Sequence, residues 1–278
     1  MNYKINFAIC TVAKQEVLYI KEFVDYYKKI GAKKIFLYDN NEISGENFDK
    51  ILFDEVVDDF VEIINYRGLY KPQQKAYNDC YINNQNKFDW FAFFDVDEFL
   101  YLENNSNIID FLSLSQFENC SSILINWKYY GDNNHIYYEP KSVQERFLKP
   151  FSFPDYLTKS TFYAAAKSII RTKLNITWAH FPHFLNDSNL CRPDGKREDK
   201  PLSPPQYYKA YIKHYATKSM EEYLIKLFKG TVNSNFTLTN ENIIFWLKNY
   251  YFLFNTVTRK KLIYLKRNLK FEIKKYFK

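Results

Sequence analysis

Residues Phe88–Leu100 read Phe-Asp-Trp-Phe-Ala-Phe-Phe-Asp-Val-Asp-Glu-Phe-Leu, and this stretch decides the predicted fold. Its aromatic run, Trp90–Phe94, has high β-propensity and no polar break, as a strand buried on both faces of a sheet does. Three carboxylates follow where that strand should leave the sheet: Asp95, Asp97 and Glu98. Asp95 and Asp97 are two residues apart, so in extended backbone their side chains share a face.

Converging carboxylates at a strand end indicate a bound cation, because they repel each other unless a positive charge lies between them. Hard oxygen ligands suit Mg²⁺ or Mn²⁺, and either ion can also bind the phosphates of a substrate. The alternative is a solvated acidic turn after a core strand. Since ligands bind at the carboxyl ends of strands in α/β sheets, we favour a divalent metal held by Asp95 and Asp97.

Strand and helix patterns alternate over the first hundred residues. The predicted strands are Phe7–Val12, Lys34–Tyr38, Val61–Asn65 and Phe88–Phe94, and the predicted helices are Glu16–Ile30, Phe48–Phe53 and one that opens at Pro72. This order predicts a parallel sheet with helices on its faces. Neither Gly-x-Gly-x-x-Gly nor Gly-x-x-x-x-Gly-Lys is present, so a metal rather than a glycine loop is the expected phosphate partner.

Size and cysteine usage narrow the class of protein and its cellular compartment. The 278 residues with 46% hydrophobic content suit one large domain, or one domain with a helical appendage. Cys10 and Cys80 lie in apolar segments and are predicted to be buried thiols, so we expect a reducing, cytoplasmic compartment. The apolar run Phe7–Val12 is too short for a signal peptide, and no stretch approaches the ~20 apolar residues of a membrane-spanning helix.

The positive charge is concentrated at the end of the chain. Residues Arg259–Lys278 carry nine Lys or Arg and one Glu, which is +8 in a chain of net charge +7, so the remainder is −1. This basic amphipathic segment is predicted to lie on the anionic inner face of the cell membrane, or to pack as a helix with a solvated basic face. Nucleic acid is not expected as a partner, because the charge is confined to one terminal segment.

Several segments together resemble one enzyme family. In chain order they are Ala8–Glu16, Phe36–Asn41 (Phe-Leu-Tyr-Asp-Asn-Asn), Pro72–Tyr77 and Phe94–Phe99, followed by Trp127–Gly131, Glu145–Phe147, Lys167–Ile170 and His214–Tyr215. The set is similar to glycosyltransferases of family 92 and to family 2-like glycosyltransferases. The similarity covers roughly Ile5–Gly230, with departures at Ala13 and Gln15, where a Lys-Asn-Glu-like sequence is expected.

The resemblance implies a fold and an activity. The fold is α/β of the GT-A (Rossmann-like) type, with a mostly parallel sheet flanked by helices and a C-terminal helical extension. The expected domain is 1–235, with a nucleotide-sugar half (1–100) and an acceptor half (101–235), followed by a basic amphipathic tail (236–278). The activity is metal-dependent, inverting transfer of a hexose from a UDP-sugar to a glycan or lipid-linked acceptor, in bacterial surface polysaccharide or lipopolysaccharide synthesis.

The metal site implied by the resemblance combines the acidic turn with a histidine. Asp97 is expected to bind Mn²⁺ or Mg²⁺ directly and Asp95 to reach the metal or the ribose through water, while Glu98 braces the turn. His214 is the candidate third ligand. His180 and His183 are the alternatives, and a histidine that only packs at a strand end remains open.

Other residues are assigned to the donor and to the acceptor. Thr11, Asp39 and Gln73 are expected to meet the base and ribose, since they lie at the carboxyl end of the predicted sheet or at the adjacent helix start. Lys167 is expected to pair with the diphosphate, or to be a solvated lysine. Asp39 could instead be a turn former before Asn40 and Asn41.

An inverting enzyme also needs a general base within reach of the acceptor hydroxyl, and Glu145 and Asp132 are the candidates. Glu145 could instead form an ion pair with Arg146.

Two other functions remain open. A nucleotidyltransferase on a similar α/β sheet would release pyrophosphate from a nucleoside triphosphate, although it would favour a glycine-rich loop near Thr11. A non-catalytic membrane-surface binding protein would depend on the basic tail and not on Asp97.

Overall fold

The computed structural model describes residues 5–104, 107–152, 165–175, 178–180, 183–185, 189–198 and 204–229, together with positions 260, 263, 264 and 267. The chain forms two compact units. The first comprises residues 1–128, 152–214 and 232–235, and the second comprises 129–151, 215–231 and 236–278. Most of the predicted tail, 236–278, lies outside the described residues.

Four parallel strands form the first part of the main sheet. They are β1 (Phe7–Ala13), β2 (Lys34–Asp39), β3 (Val61–Asn65) and β4 (Trp90–Phe93), in the order β3-β2-β1-β4. Strands β1, β2 and β4 are buried along their whole length, as their continuous apolar runs predict. The register pairs Ala13 with Asp39 and Asp39 with Asn65, so these strands end at one edge of the sheet.

Three helices connect these strands: α1 (Ile20–Lys29), α2 (Phe53–Val57) and α3 (Gln73–Asn84). Helix α1 buries Ile20, Phe23, Val24 and Tyr27 at helical spacing, and the chain turns out of it at Gly31 with φ of +98°. The predicted helix Phe48–Phe53 is wrong, because the helix begins only at Phe53. From Phe48 to Leu52 the chain makes a single turn, in which the Phe48 carbonyl accepts the N–H groups of Ile51 and Leu52 at 3.1 and 3.0 Å. One turn fixes several residues for few hydrogen bonds, so it does not extend into a helix by itself.

The sheet continues with antiparallel pairs. Its further strands are β5 (Glu98–Leu102), β6 (Ser122–Tyr129), β7 (Ala166–Arg171), β10 (Leu190–Cys191) and β11 (Ala210–His214), and a separate hairpin contains β8 (Trp178–His180) and β9 (Phe184–Leu185). The path runs β4-β7-β6-β11-β5, and β7 is antiparallel to both β4 and β6. The predicted α/β class is confirmed, with parallel strands in the first half and antiparallel pairing added in the second.

Short helices complete the first unit. Helix α4 (Ile108–Leu112) is followed by a single 3-10 turn at Ser115–Phe117. Asn107 caps α4 by accepting the N–H of Ile109 at 2.7 Å. No described helix has both the length and the apolar character that a membrane crossing requires.

The second unit contains α5 (Val143–Arg146) and α6 (Met220–Lys229), which are joined by a buried ion pair. The Arg146 guanidinium donates to both carboxylate oxygens of Glu222, at 2.7 and 2.9 Å. Glu222 also accepts the N–H of Ser219 at 3.0 Å, and its own N–H donates to the Ser219 hydroxyl at 3.3 Å. This reciprocal pair is a capping box, which explains why α6 begins after Ser219.

The cysteines fall into two classes. Cys10 and Cys80 are buried free thiols, as predicted. Cys120 and Cys191 form a disulfide that joins the segment before β6 to β10, and nothing in their spacing indicated it.

Candidate active site

The acidic turn lies between β4 and β5, and Glu98 braces it from inside. The N–H of Asp95 donates to the Glu98 carboxylate at 3.0 Å, and the N–H of Glu98 donates to the carbonyl of Asp95 at 3.0 Å. Glu98 is fully buried, and burial raises its pKa well above the ordinary value, with Asp95 and Asp97 raising it further against the opposing effect of Lys167. The turn is therefore a rigid carrier for the two aspartates.

Lys167 supplies the positive charge at this turn. It lies on β7, the strand beside β4, and its Nζ is 3.1 Å from Asp95 Oδ2 and 3.7 Å from Glu98 Oε2. Burial lowers the pKa of Lys167, but the nearby carboxylates, led by Asp95, outweigh it, and the pKa lies above its ordinary value. A charged ammonium at this position partly offsets the repulsion between the carboxylates.

Asp95 remains accessible although it has several partners. Its Oδ1 is 3.4 Å from the Tyr77 hydroxyl and 3.5 Å from Gln73 Nε2, at the start of α3. Its side chain is 37% exposed. Gln73 is thus brought to the acidic turn, and Tyr77 is an additional neighbour that the sequence pattern did not single out.

His214 is the histidine that meets the acidic turn. Strand β11 runs antiparallel to β5 and places His214 opposite Glu98. Its Nε2 is 3.5 Å from Asp97 Oδ1, and the two side chains are only 11% and 10% exposed. The Trp127 ring packs against His214 with ring centroids 4.5 Å apart.

The alternative histidines are placed differently. The His183 ring packs against Trp127, with ring centroids 5.2 Å apart. Its Nδ1 is 2.7 Å from the carbonyl oxygen of Ala166. The side chain of His180 lies outside the described residues. Among the candidates whose side chains the structure describes, His214 is therefore the one joined to Asp97.

The donor set fits a divalent metal completed by substrate. Within the described ranges, no three or more His, Cys, Asp or Glu side chains are grouped to hold a metal by themselves. Asp97 and His214 offer one carboxylate and one imidazole, and Asp95 offers an accessible carboxylate nearby. Mg²⁺ sites commonly use one or two carboxylates, with substrate phosphates and water as the remaining ligands.

A second polar cluster lies at the end of β2. Asp39 is buried, and its Oδ2 accepts a hydrogen bond from Arg67 Nε at 2.8 Å while its Oδ1 accepts the N–H of Asn41 at 3.0 Å. Arg67 was missed at the sequence level because it lies in a loop with no recognisable spacing to Asp39. Thr11 is fully buried on β1, and its hydroxyl has no hydrogen-bond partner within the structure.

The two base candidates lie in the second unit. Glu145 is exposed on α5, and its N–H donates to the Ser142 hydroxyl at 3.1 Å. Asp132 is fully buried, and its Oδ1 accepts the N–H of Asn134 at 3.2 Å, which shapes the turn after β6. The ion pair considered between Glu145 and Arg146 is not the one that forms, because Arg146 pairs with Glu222.

Comparison with known proteins identifies one family. The model of glycosyltransferase family 92 matches residues 3–249. A family 92 protein of Ricinus communis is 30% identical over 103 residues, which cover 37% of this chain and 18% of that protein. One of Oryza sativa subsp. japonica is 26% identical over 105 residues, again 37% and 18% of the two chains. The matched segment is thus under a fifth of the length of these relatives.

Solved structures with a related arrangement are distant. S. aureus TarS is 12% identical, with a TM-score of 0.43 over 90% of this chain and 80% of that chain. The Pyrobaculum calidifontis mannosyltransferase PcManGT in complex with GDP-Man and Mn2+ is 10% identical, with a TM-score of 0.34 over 45% and 36% of the two chains.

Proposed function

The chain belongs to glycosyltransferase family 92, and we propose that it is a metal-dependent glycosyltransferase that moves a hexose from a UDP-sugar to a hydroxyl of a glycan or lipid-linked acceptor. The observation that carries the proposal is the contact between Asp97 and His214 at 3.5 Å, next to the Asp95–Lys167 pair. These groups lie where β4 ends, the edge at which α/β sheets bind their ligands.

The metal is proposed to be Mn²⁺ or Mg²⁺, held by Asp97 and His214 with Asp95 beside it. When bound, such an ion supplies Lewis-acid stabilisation of the negative charge that develops on a diphosphate leaving group. The rigid turn braced by Glu98 keeps the ligands in place, so little reorganisation is needed when the donor arrives.

For Lys167 we propose a role that differs from the predicted one. Its ammonium lies against Asp95 and Glu98 at 3.1 and 3.7 Å and is almost fully buried. We propose that it orients Asp95 and offsets charge in the acidic turn instead of contacting the diphosphate directly. Asp95 then presents its accessible side to the ribose or to the metal.

The nucleoside is proposed to bind at the adjacent strand ends. Asp39 is held by Arg67 and Asn41. It suits the ribose, because a buried carboxylate with fixed orientation can accept hydrogen bonds from both ribose hydroxyls. Thr11 lies on the neighbouring strand β1, and its buried hydroxyl has no hydrogen-bond partner among the residues that the structure describes, so we propose that it bonds a polar group of the ligand.

For the inverting base we propose Glu145. Its carboxylate is exposed, whereas that of Asp132 is buried and fixes a backbone turn. A general base must reach the proton of the acceptor, and only an accessible carboxylate can do so. Glu145→Gln should then abolish transfer while donor binding persists.

The proposal is tested by thermal shift with a panel of nucleotide sugars, with and without Mn²⁺. A ligand at 100 times its Kd stabilises the native state by about 2.7 kcal/mol, so a bound donor raises the melting temperature. Asp97→Asn should remove the Mn²⁺-dependent rise. Asp110→Asn, which changes an exposed carboxylate on α4, is the matched control and should leave it intact.

Failure would also be clear. If no nucleotide sugar binds or is hydrolysed in Mn²⁺, or if Asp97→Asn responds like the unmodified protein, the proposed active site is wrong. Release of pyrophosphate from a nucleoside triphosphate would instead favour a nucleotidyltransferase.

A further inference from the structure

A cluster of tyrosines and lysines covers the partly exposed face of β5 and β11. It consists of Tyr101, Lys128, Tyr207, Tyr211 and Lys213, all in the first unit and all half-buried. Tyr211 pairs with Tyr101 in the antiparallel register, so their side chains share a face. The alternating positions Glu98, Ile212 and His214 point to the other, buried face, so this tyrosine–lysine cluster is separate from the candidate active site.

Aromatic rings hold the two lysines in place. The rings of Tyr101 and Tyr211 stack with centroids 4.6 Å apart. Lys128 Nζ lies 4.7 Å from the Tyr211 ring centre and 5.3 Å from that of Tyr207, while Lys213 Nζ lies 5.4 Å from that of Tyr101. These cation–π contacts fix the ammonium groups without neutralising their charge.

Among the residues that the structure describes, the two lysines have no acidic partner. Neither Lys128 nor Lys213 forms a salt bridge anywhere in the part of the chain that the structure describes, in contrast to Lys34 and Lys167, each of which contacts carboxylates. Both ammonium groups lie against the stacked rings of Tyr101 and Tyr211, so an anion bound at these rings would offset the positive charge of both lysines.

We propose that the tyrosine–lysine cluster binds an acidic glycan. Carboxylate or phosphate groups of the glycan accept charge-assisted hydrogen bonds from Lys128 and Lys213. The amphipathic tyrosines supply hydroxyl groups and apolar ring surface beside the charges, a combination that matches the polar and C–H surfaces of a sugar ring. The choice of a glycan as the carrier of the anion rests on the proposed glycosyltransferase function, but the anion site itself does not.

The test measures direct binding, not transfer. The full chain is titrated with a galacturonic acid hexamer, and with maltohexaose as the neutral hexamer, by calorimetry at low ionic strength. We expect the acidic hexamer to bind and the neutral one to bind at least tenfold more weakly. The double variant Lys128→Gln/Lys213→Gln should weaken binding of the acidic hexamer at least tenfold, and added salt should do the same.

The matched control is Lys28→Gln/Lys75→Gln. These lysines also lie over aromatic rings, Phe60 at 5.4 Å and Tyr66 at 5.7 Å, so the control removes the same charge and the same type of contact. It should bind the acidic hexamer within twofold of the unmodified chain. Circular dichroism of both variants checks that the fold is retained.

Three outcomes would overturn the inference: equal binding of both hexamers, equal weakening in the control variant, or no weakening in Lys128→Gln/Lys213→Gln. Binding of phosphatidylglycerol vesicles but not of the acidic hexamer, lost in the same variant, would identify a membrane surface instead. The donor thermal shift is measured in parallel. If the donor shift persists while the hexamer fails to bind, this inference falls and the proposed function stands. If the hexamer binds while the donor shift is absent, the anion site stands and the proposed function falls.

Discussion

Replacing Glu222 by Gln tests whether the Glu-Arg-Phe segment is held by a buried charge pair. Arg146 and Glu222 are 1% and 3% exposed and make two hydrogen bonds, so Glu222→Gln leaves a buried guanidinium without its counter-charge. Removing one partner of such a pair costs about 3–5 kcal/mol. At about 2–4 °C per kcal/mol for a chain of this size, the melting temperature should fall by roughly 6–20 °C.

The assay is differential scanning calorimetry, which resolves separate transitions if the two units unfold independently. Glu145→Gln is the matched control, because it removes a neighbouring but exposed carboxylate and should change stability by less than about 0.5 kcal/mol. The double variant Arg146→Met/Glu222→Leu should recover much of the loss, since it leaves no unpaired buried charge. A fall of under about 2 °C for Glu222→Gln, or an equal fall for Glu145→Gln, would refute the argument.

Three further predictions follow from single contacts. His214→Gln should weaken Mn²⁺-dependent donor binding by about tenfold or more, because His214 contacts Asp97 at 3.5 Å. His183→Gln should change it little, since His183 lies against Trp127 and the Ala166 carbonyl, and equal effects in a metal titration would contradict this. Cys120→Ser/Cys191→Ser should lower the free energy of unfolding by about 4 kcal/mol, since the disulfide closes a loop of 71 residues. In a denaturant titration this double variant should not respond to added reductant, whereas Cys10→Ala, which keeps the disulfide, should still be destabilised by it. Gly31→Ala should lower the free energy of unfolding by more than about 1 kcal/mol in the same titration. The reason is that φ is +98° and a Cβ would lie 2.7 Å from the Asn107 amide. Gly45→Ala, where φ is ordinary, should lower it less.

Local sequence pattern was sufficient for the first half of the fold. The strands β1 to β4 were predicted within two residues at nearly every boundary, because each is a continuous apolar run and each helix between them has a clear apolar stripe or stop signal. The helix at Phe48–Phe53 failed, since this short apolar segment makes only one turn before α2 begins at Phe53. Strand β5 was missed because its carboxylate-rich start was assigned to the acidic turn.

From local spacing alone, the site was predictable only where its residues are close in sequence, whereas Gln73, Lys167 and His214 became candidates through the sheet-end position or the family resemblance. Asp95, Asp97 and Glu98 are read directly from the stretch that ends β4, and Glu98 does brace the turn as expected. The pairing of Asp39 with Arg67, of Arg146 with Glu222 and of Cys120 with Cys191 joins residues that no local spacing connects.

By itself the sequence determined the parallel α/β layer and the acidic turn at its edge, because hydrophobic periodicity and strand-end chemistry are local properties of the chain. Only the tertiary structure decided which histidine meets Asp97 and which carboxylates Lys167 neutralises. These contacts depend on the order of strands β4, β7, β6, β11 and β5 in the sheet, and strand order is set by the packing of residues far apart in the chain.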